Sequence, residues 1–218
     1  MTTRFKICCM QNVEEARLAV DHGASALGFV TAMPSGFGPI SDDRIARIVA
    51  TVPLTIATFL LTCATEARVI MNQQRRSGAN TLQLVDEVSP GTYAVLRDAL
   101  PDVSIVQVIH VEGERSIRDA VAVAPHVDAI LLDSGNPSLE IKELGGTGRV
   151  HDWAISRRIR EEVEVPVFLA GGLRAENIGE AIASVRPFGV DVCTGLRTEG
   201  ALDPVKLERF VTAVRAAA

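Results

Sequence analysis

Phe5-Lys6-Ile7-Cys8-Cys9-Met10-Gln11-Asn12-Val13-Glu14-Glu15-Ala16 is the stretch that decides the fold. It begins as a short run, Phe5–Cys8, of the kind that makes a buried strand. Four residues later it becomes helical: Asn12 is a natural N-cap, and Glu15 three residues on completes a capping-box-like start. Cys8-Cys9-Met10 lies between the two. A doubly wound open sheet carries a glycine fingerprint after its first strand, and none stands here.

The same alternation runs to the end of the chain. Strands are expected near Phe5–Cys8, Ala26–Val30, Leu54–Leu60, Thr81–Leu84, Ser104–His110, Ala129–Asp133, Val165–Ala170 and Val190–Cys193, all short, apolar and bounded by turn residues. Ser41 with Asp42 and Asp43, Thr65, Ser89, and Asp203 with Pro204 read as helix starts, and Gly23 and Gly78 as helix stops. Eight strand–helix units in 218 residues leave about 27 residues per unit, compact but sufficient for a (β/α)8 TIM barrel. No linker or low-complexity tract interrupts the pattern, so residues 1–218 read as a single barrel domain.

Composition agrees. Hydrophobic residues make up 47 % and charged residues 22 %, which excludes a disordered chain. Aromatics are only 4 %, so the core is built from Ala, Val, Leu and Ile, as suits parallel strands covered by helices. A net charge of −5 excludes a global basic footprint for nucleic acid, while leaving room for a local anion pocket. Cys8, Cys9, Cys63 and Cys193 have neither metal-ligand spacing nor a disulfide framework, which fits a reducing, cytoplasmic setting. No segment reads as a signal peptide or a membrane span. Lysines number only three (Lys6, Lys142 and Lys206), and only Lys6 falls on an inner strand, so Schiff-base chemistry of the class I aldolase kind is disfavoured.

In such a barrel the chemistry belongs at the C-terminal ends of the strands. Cys8, His110, Asp133 and Cys193 end strands there, and glycines follow the last three strands: Gly145-Gly146-Thr147-Gly148, Gly171-Gly172 and Gly195. Glycine lets backbone N–H groups close on an anion, and a helix N-terminus behind them adds a favourable dipole. Any one cluster could be a tight turn; three on one face point to an anion. Cys8 and Asp133 can form an acid–base pair, the thiol activated by a nearby cation. Lys6, two residues earlier, shares its inward face, roughly 6–7 Å away. Asp191 on the last strand, next to the first in a closed barrel, can balance Lys6. Cys63 and Cys193 read as packing residues, Trp153 as a helix anchor, and His22, His126 and His151 as surface or helix-end residues.

Several segments resemble the phosphoribosylanthranilate isomerase family: Lys6-Ile7-Cys8, Gly23-Ala24, Ala26-Leu27-Gly28-Phe29-Val30, Leu82-Gln83-Leu84, Leu131-Leu132-Asp133-Ser134, Gly145-Gly146-Thr147-Gly148 with Asp152-Trp153, Leu169-Ala170-Gly171-Gly172-Leu173 and Gly189-Val190-Asp191-Val192. The resemblance implies an Amadori aldose-to-ketose rearrangement of an N-substituted phosphoribosylamine in tryptophan biosynthesis, without metal or organic cofactor. It implies Cys8 as general base and Asp133 as general acid, with Lys6 and Asp191 in support. The phosphate would sit on Gly146, Gly171, Gly172, Thr194 and Gly195, and Gln83, His110 and Arg44 are the candidates for the rest of the substrate. The partner is thus a small phosphorylated sugar-amine, not a nucleic acid or a membrane, with monomer and homodimer both compatible.

Three positions depart from the family pattern. Cys9 stands where Lys-Ile-Cys is usually followed by glycine, so the turn loses glycine's freedom. Met33-Pro34-Ser35-Gly36-Phe37-Gly38-Pro39-Ile40-Ser41 lacks the usual arginine of its loop, a contact to the substrate carboxylate that is hard to replace. Leu84 runs into Val85-Asp86 instead of His-Gly. These departures leave an isomerase of another phosphoribosylamine, or a barrel that binds phosphosugars without turnover, as alternatives.

Overall fold

The computed structural model describes residues 3–217. Eight parallel strands close into a barrel in sequence order: β1 (Arg4–Ile7), β2 (Ala26–Val30), β3 (Ala57–Thr62), β4 (Thr81–Leu84), β5 (Ser104–His110), β6 (Ala129–Asp133), β7 (Val167–Leu169) and β8 (Gly189–Val192). Around them lie α1 (Val13–Asp21), α2 (Asp42–Val49), α3 (Ala67–Ser77), α4 (Pro90–Ala99), α5 (Arg115–Val123), α6 (Trp153–Glu162), α7 (Ile178–Val185) and α8 (Pro204–Ala216). This is a (β/α)8 TIM barrel. A small antiparallel hairpin, β9 (Arg197–Thr198) with β10 (Ala201–Leu202), lies between β8 and α8.

Strand parity makes two cores. Phe5, Ile7, Leu27, Phe29 and Leu60 point outward to the helices, where Ile45, Ile70, Ile159 and Phe210 meet them. Ala26, Phe59, Leu61, Val106, Leu131 and Phe168 fill the barrel itself, with Phe59 and Phe168 edge to face at 5.9 Å.

Helix starts follow local chemistry. The Asn12 side chain accepts from the Glu15 N–H at 2.7 Å, while the Gln11 N–H donates to Glu15 Oε2 at 3.1 Å. Ser41, Ser89 and Asp203 accept from N–H groups of α2, α4 and α8. Gly78 ends α3 in the left-handed conformation at φ 69.

Several strand and helix edges differ from the sequence reading. β3 begins at Ala57, not Leu54: the Ile56 N–H donates back to the Pro53 carbonyl at 2.9 Å, closing a turn that leaves Leu54 fully exposed. α3 is preceded by Glu66, not Thr65, and has no side-chain cap. β7 begins only at Val167, since Pro166 has no N–H to donate, and it ends at Leu169, although the Ala170 N–H still donates to the Leu132 carbonyl at 2.7 Å. β1 and β8 stop at Ile7 and Val192, so Cys8 and Cys193 lie just past their strands; the Cys8 N–H still donates to the Val192 carbonyl at 2.9 Å, so the ladder carries Cys8.

Leu60→Ala is expected to lower unfolding free energy by about 2–5 kcal/mol in urea titration, since it empties a closed core site. Leu54→Ala is expected to change it by less than about 0.5 kcal/mol.

Candidate active site

The site is built on the seam between β1 and β8. Lys6 pairs in register with Asp191, and its ammonium lies 2.6 Å from Asp191 Oδ2 and 5.1 Å from the centre of the Phe59 ring. The lysine is 0 % exposed. Burial alone would lower the pKa of this ammonium; the Asp191 carboxylate, helped by Cys8, outweighs burial and raises it.

Cys8 follows on the same face and is also buried. Gly28 of β2 makes the room: a Cβ there would stand 2.6 Å from Cys8 Sγ and 3.1 Å from Lys6 Nζ. The Cys8 thiol is pulled below the ordinary range by the Cys9 thiol, against burial, with the Lys6 ammonium adding to the pull. The Cys193 and Cys8 thiols, together with burial, push Cys9 well up.

Cys9 keeps the turn that its side chain was expected to hinder. Its φ is 66, a left-handed conformation that costs a residue with a Cβ about 1–2 kcal/mol. Its Sγ donates to the Phe37 carbonyl at 3.6 Å.

Asp133 lines the same pocket as Cys8 from the end of β6. Its Oδ1 accepts the Ser134 N–H at 2.7 Å, yet burial dominates and raises the carboxyl above its usual range. One pocket therefore holds a thiol made more acidic and a carboxylic acid made less so, the pattern of an assigned base and acid.

The third part of the pocket is a rim of backbone. Gly145, Gly146, Thr147, Gly148, Gly171, Gly172 and Thr194 line it. Among the described residues, the N–H groups of Gly146, Gly171, Gly172, Thr194 and Gly195 donate to no carbonyl. Gly172 is left-handed at φ 61, and a Cβ there would sit 2.7 Å from the Arg149 carbonyl carbon. Asn177 clamps the turn, donating to the Gly172 carbonyl at 3.0 Å and accepting from the Arg174 N–H at 2.9 Å. No helix begins directly behind Gly171-Gly172, since α7 starts only at Ile178; a single 3-10 turn, Thr194–Leu196, follows β8. Gly195 packs against the Leu173 carbonyl and does not line the pocket.

Of the remaining expected residues, Gln83 lines the pocket, 3 % exposed, and its Oε1 has no partner, like Asp191 Oδ1. Arg44 and His110 are not brought to it. Arg44 lies on the solvent face of α2, whose buried residues are Ile45 and Ile48. His110 Nε2 is held 2.9 Å from the Val85 carbonyl, and the ring faces a neighbouring depression with Tyr93 and Gln107. Met33, Ser35 and Phe37 of the loop after β2 close the mouth, and behind Phe37 lies Arg197, a buried cation that no local pattern announced. Ser134 Oγ and Thr147 Oγ1, 2.8 Å apart, were also missed. Among the described residues no group of three or more His, Cys, Asp or Glu side chains is arranged to hold a metal ion.

Two stability measurements probe this environment. Lys6→Met leaves Asp191 buried without a partner and is expected to cost about 3–5 kcal/mol. Because the lysine's folded pKa is raised, its contribution is complete below the ordinary value of 10.5 and is lost as pH rises above it, which urea titration from pH 8 upward will follow. His151 is the opposite case: its Nε2 lies 2.7 Å from Ser156 Oγ, and burial pushes it down from 6.5 to about 4. The unfolded chain then takes up a proton that the folded chain refuses. Stability is expected to fall by up to roughly 3 kcal/mol as pH drops through that window, and His151→Gln to remove this slope.

The N-(5'-phosphoribosyl)anthranilate (PRA) isomerase family model matches residues 5–213. N-(5'-phosphoribosyl)anthranilate isomerase 2 of Methanosarcina mazei is 37 % identical over 210 residues, covering 95 % of this chain and 92 % of its own. The N-(5'-phosphoribosyl)anthranilate isomerase of Methanothrix thermoacetophila is 35 % identical and covers 98 % of both chains. Among solved structures, the phosphoribosyl anthranilate isomerase of Thermotoga maritima has a TM-score of 0.83 at 29 % identity, covering 98 % of this chain and 99 % of its own. A phosphoribosyl anthranilate isomerase in complex with reduced 1-(o-carboxyphenylamino)-1-deoxyribulose 5-phosphate has a TM-score of 0.80 at 27 % identity, covering 98 % and 99 %.

Proposed function

The chain belongs to the N-(5'-phosphoribosyl)anthranilate isomerase family, and from that premise we propose how its own residues perform the aldose-to-ketose rearrangement of tryptophan biosynthesis. The enzyme is an intramolecular oxidoreductase. Asp133 is the general acid: it protonates the ribose ring oxygen, the ring opens, and the anthranilate nitrogen forms a Schiff base with C1. Cys8 is the general base: its thiolate takes the C2 proton, giving an enolamine, which tautomerises to the 1-deoxyribulose phosphate. No net oxidant is used, since C2 is oxidised as C1 is reduced.

The observation that carries this reading is the pair of opposed environments, with Cys8 pulled down and Asp133 pushed up across one pocket. Lys6 supports the thiolate, and Asp191 holds Lys6 while keeping Oδ1 for the substrate. The unpartnered Gln83 amide suits a ribose hydroxyl. The phosphate takes the free N–H groups of Gly146, Gly171, Gly172 and Thr194, an anion site that needs no basic side chain; Gly195, turned away against the Leu173 carbonyl, serves only as the tight turn beside it.

We read residues 1–218 as one barrel domain and the setting as cytoplasmic; no described helix is long and apolar enough to cross a membrane. The partner is the small phosphorylated sugar-amine. Monomer and homodimer are both compatible with this reading.

The test is turnover of phosphoribosylanthranilate by purified protein, followed by loss of its fluorescence. Cys8→Ser and Asp133→Asn are each expected to lower kcat about 10²–10⁴-fold. Gly28→Ala, which drives a methyl group into Cys8 Sγ, is expected to cost at least about tenfold in kcat. Full activity in Cys8→Ala removes the assignment of the base. No turnover, with thermal stabilisation by simple phosphosugars, favours a different phosphoribosylamine or a binding role.

A further inference from the structure

Arg197 is 8 % exposed and its guanidinium makes an unusual set of contacts. Nη1 and Nη2 fork onto the two carboxylate oxygens of Glu15, each at 3.1 Å. Nη1 also donates to the Gly200 carbonyl at 2.8 Å. Nη2 reaches the Cys9 carbonyl at 2.6 Å and the Cys8 carbonyl at 3.4 Å. The guanidinium carbon lies 4.9 Å from the centre of the Phe37 ring. Glu15 in turn accepts the Gln11 and Leu202 N–H groups. One buried cation thus meets three loops: the turn after β1, the loop after β2 and the hairpin after β8.

The two carbonyls it holds flank the left-handed residue Cys9, which directly follows Cys8. A residue with a Cβ resists that turn, and the turn sets where the Cys8 thiol points. A charge-assisted hydrogen bond to the Cys9 carbonyl is strong enough to hold it. We propose that Arg197 is a positioning residue for the base Cys8: its guanidinium holds the Cys8–Cys9 turn in its left-handed form and, through Phe37, ties that turn to the mouth of the pocket. The proposal rests on the reading of Cys8 as base.

Arg197→Lys separates this role from plain support. The lysine keeps its charge against Glu15, but one ammonium cannot also reach the Cys9 carbonyl. Expected are a melting temperature near that of the parent, a KM for phosphoribosylanthranilate changed by less than about twofold, and a kcat lower by about tenfold. The substitution is then repeated in Cys9→Ala and Cys9→Gly backgrounds, which both lack the Cys9 thiol and differ only in the Cβ. The kcat loss is expected to persist in Cys9→Ala and to shrink to about twofold or less in Cys9→Gly, where the turn is free of strain. Equal losses in the two backgrounds, or an unchanged kcat in Arg197→Lys, overturn the proposal. Should Arg197→Lys fail to fold, Glu15→Gln/Arg197→Gln, which leaves no unpaired carboxylate, is measured in the same backgrounds against the same outcomes. Cys8→Ser serves as control. If it is inactive while Arg197→Lys is fully active, only this proposal fails; if Cys8→Ser is itself fully active, the reading of the base fails and this proposal with it.

Discussion

The Lys6–Asp191 ion pair is the constraint on which the rest of the site depends. An ammonium inside an aromatic and aliphatic barrel is tolerated only against a partner, and the partner stands on the strand that closes the barrel. Closure therefore brings the two charges together, and the charges in turn favour the closed register. A shift of one residue between β1 and β8 would send Lys6 to the helix side and separate it from Asp191. The same register sets Cys8 one step above the ammonium, opposite the gap left by Gly28. Packing, electrostatics and the place of the thiol are thus one arrangement.

A second economy lies in how the molecule handles anions. The chain is acidic, yet among the described residues its pocket is rimmed by backbone N–H groups, from loops after β6, β7 and β8, that donate to no carbonyl. Among the described residues, the buried cations near Cys8 are engaged elsewhere, Lys6 with Asp191 and Arg197 with Glu15. Under the proposed function, charge is kept for the Cys8 thiol and for the turn that carries it, and the substrate phosphate is left to backbone dipoles.

Much of this was legible in the residues, and what was legible was mostly local. Asn12, Ser41, Ser89 and Asp203 announce their helices because a cap and its N–H lie within three residues of each other. The barrel itself follows from repetition, and the Lys6–Asp191 pair from repetition plus parity. Leu54 was misread because its apolar run is broken by a turn that depends on backbone geometry. Arg44 beyond β2 and His110 at the end of β5 were plausible by position, but a helix face turns one to solvent and the Val85 carbonyl holds the other. Arg197 was out of reach because its partners Glu15, Cys8 and Cys9 stand more than 180 residues away in sequence, with no pattern linking them.

That separation bears on the order in which the protein is made. Residues 6 and 191, and residues 15 and 197, meet across almost the whole chain. A nascent chain still on the ribosome can raise helices and pair neighbouring strands, but it carries a lysine with no counter-charge and a cysteine turn with nothing behind it. The surroundings of the Cys8 thiol are therefore completed last, by the final strand and hairpin to emerge, and under the proposed function an unfinished barrel lacks the pairing that supports its base.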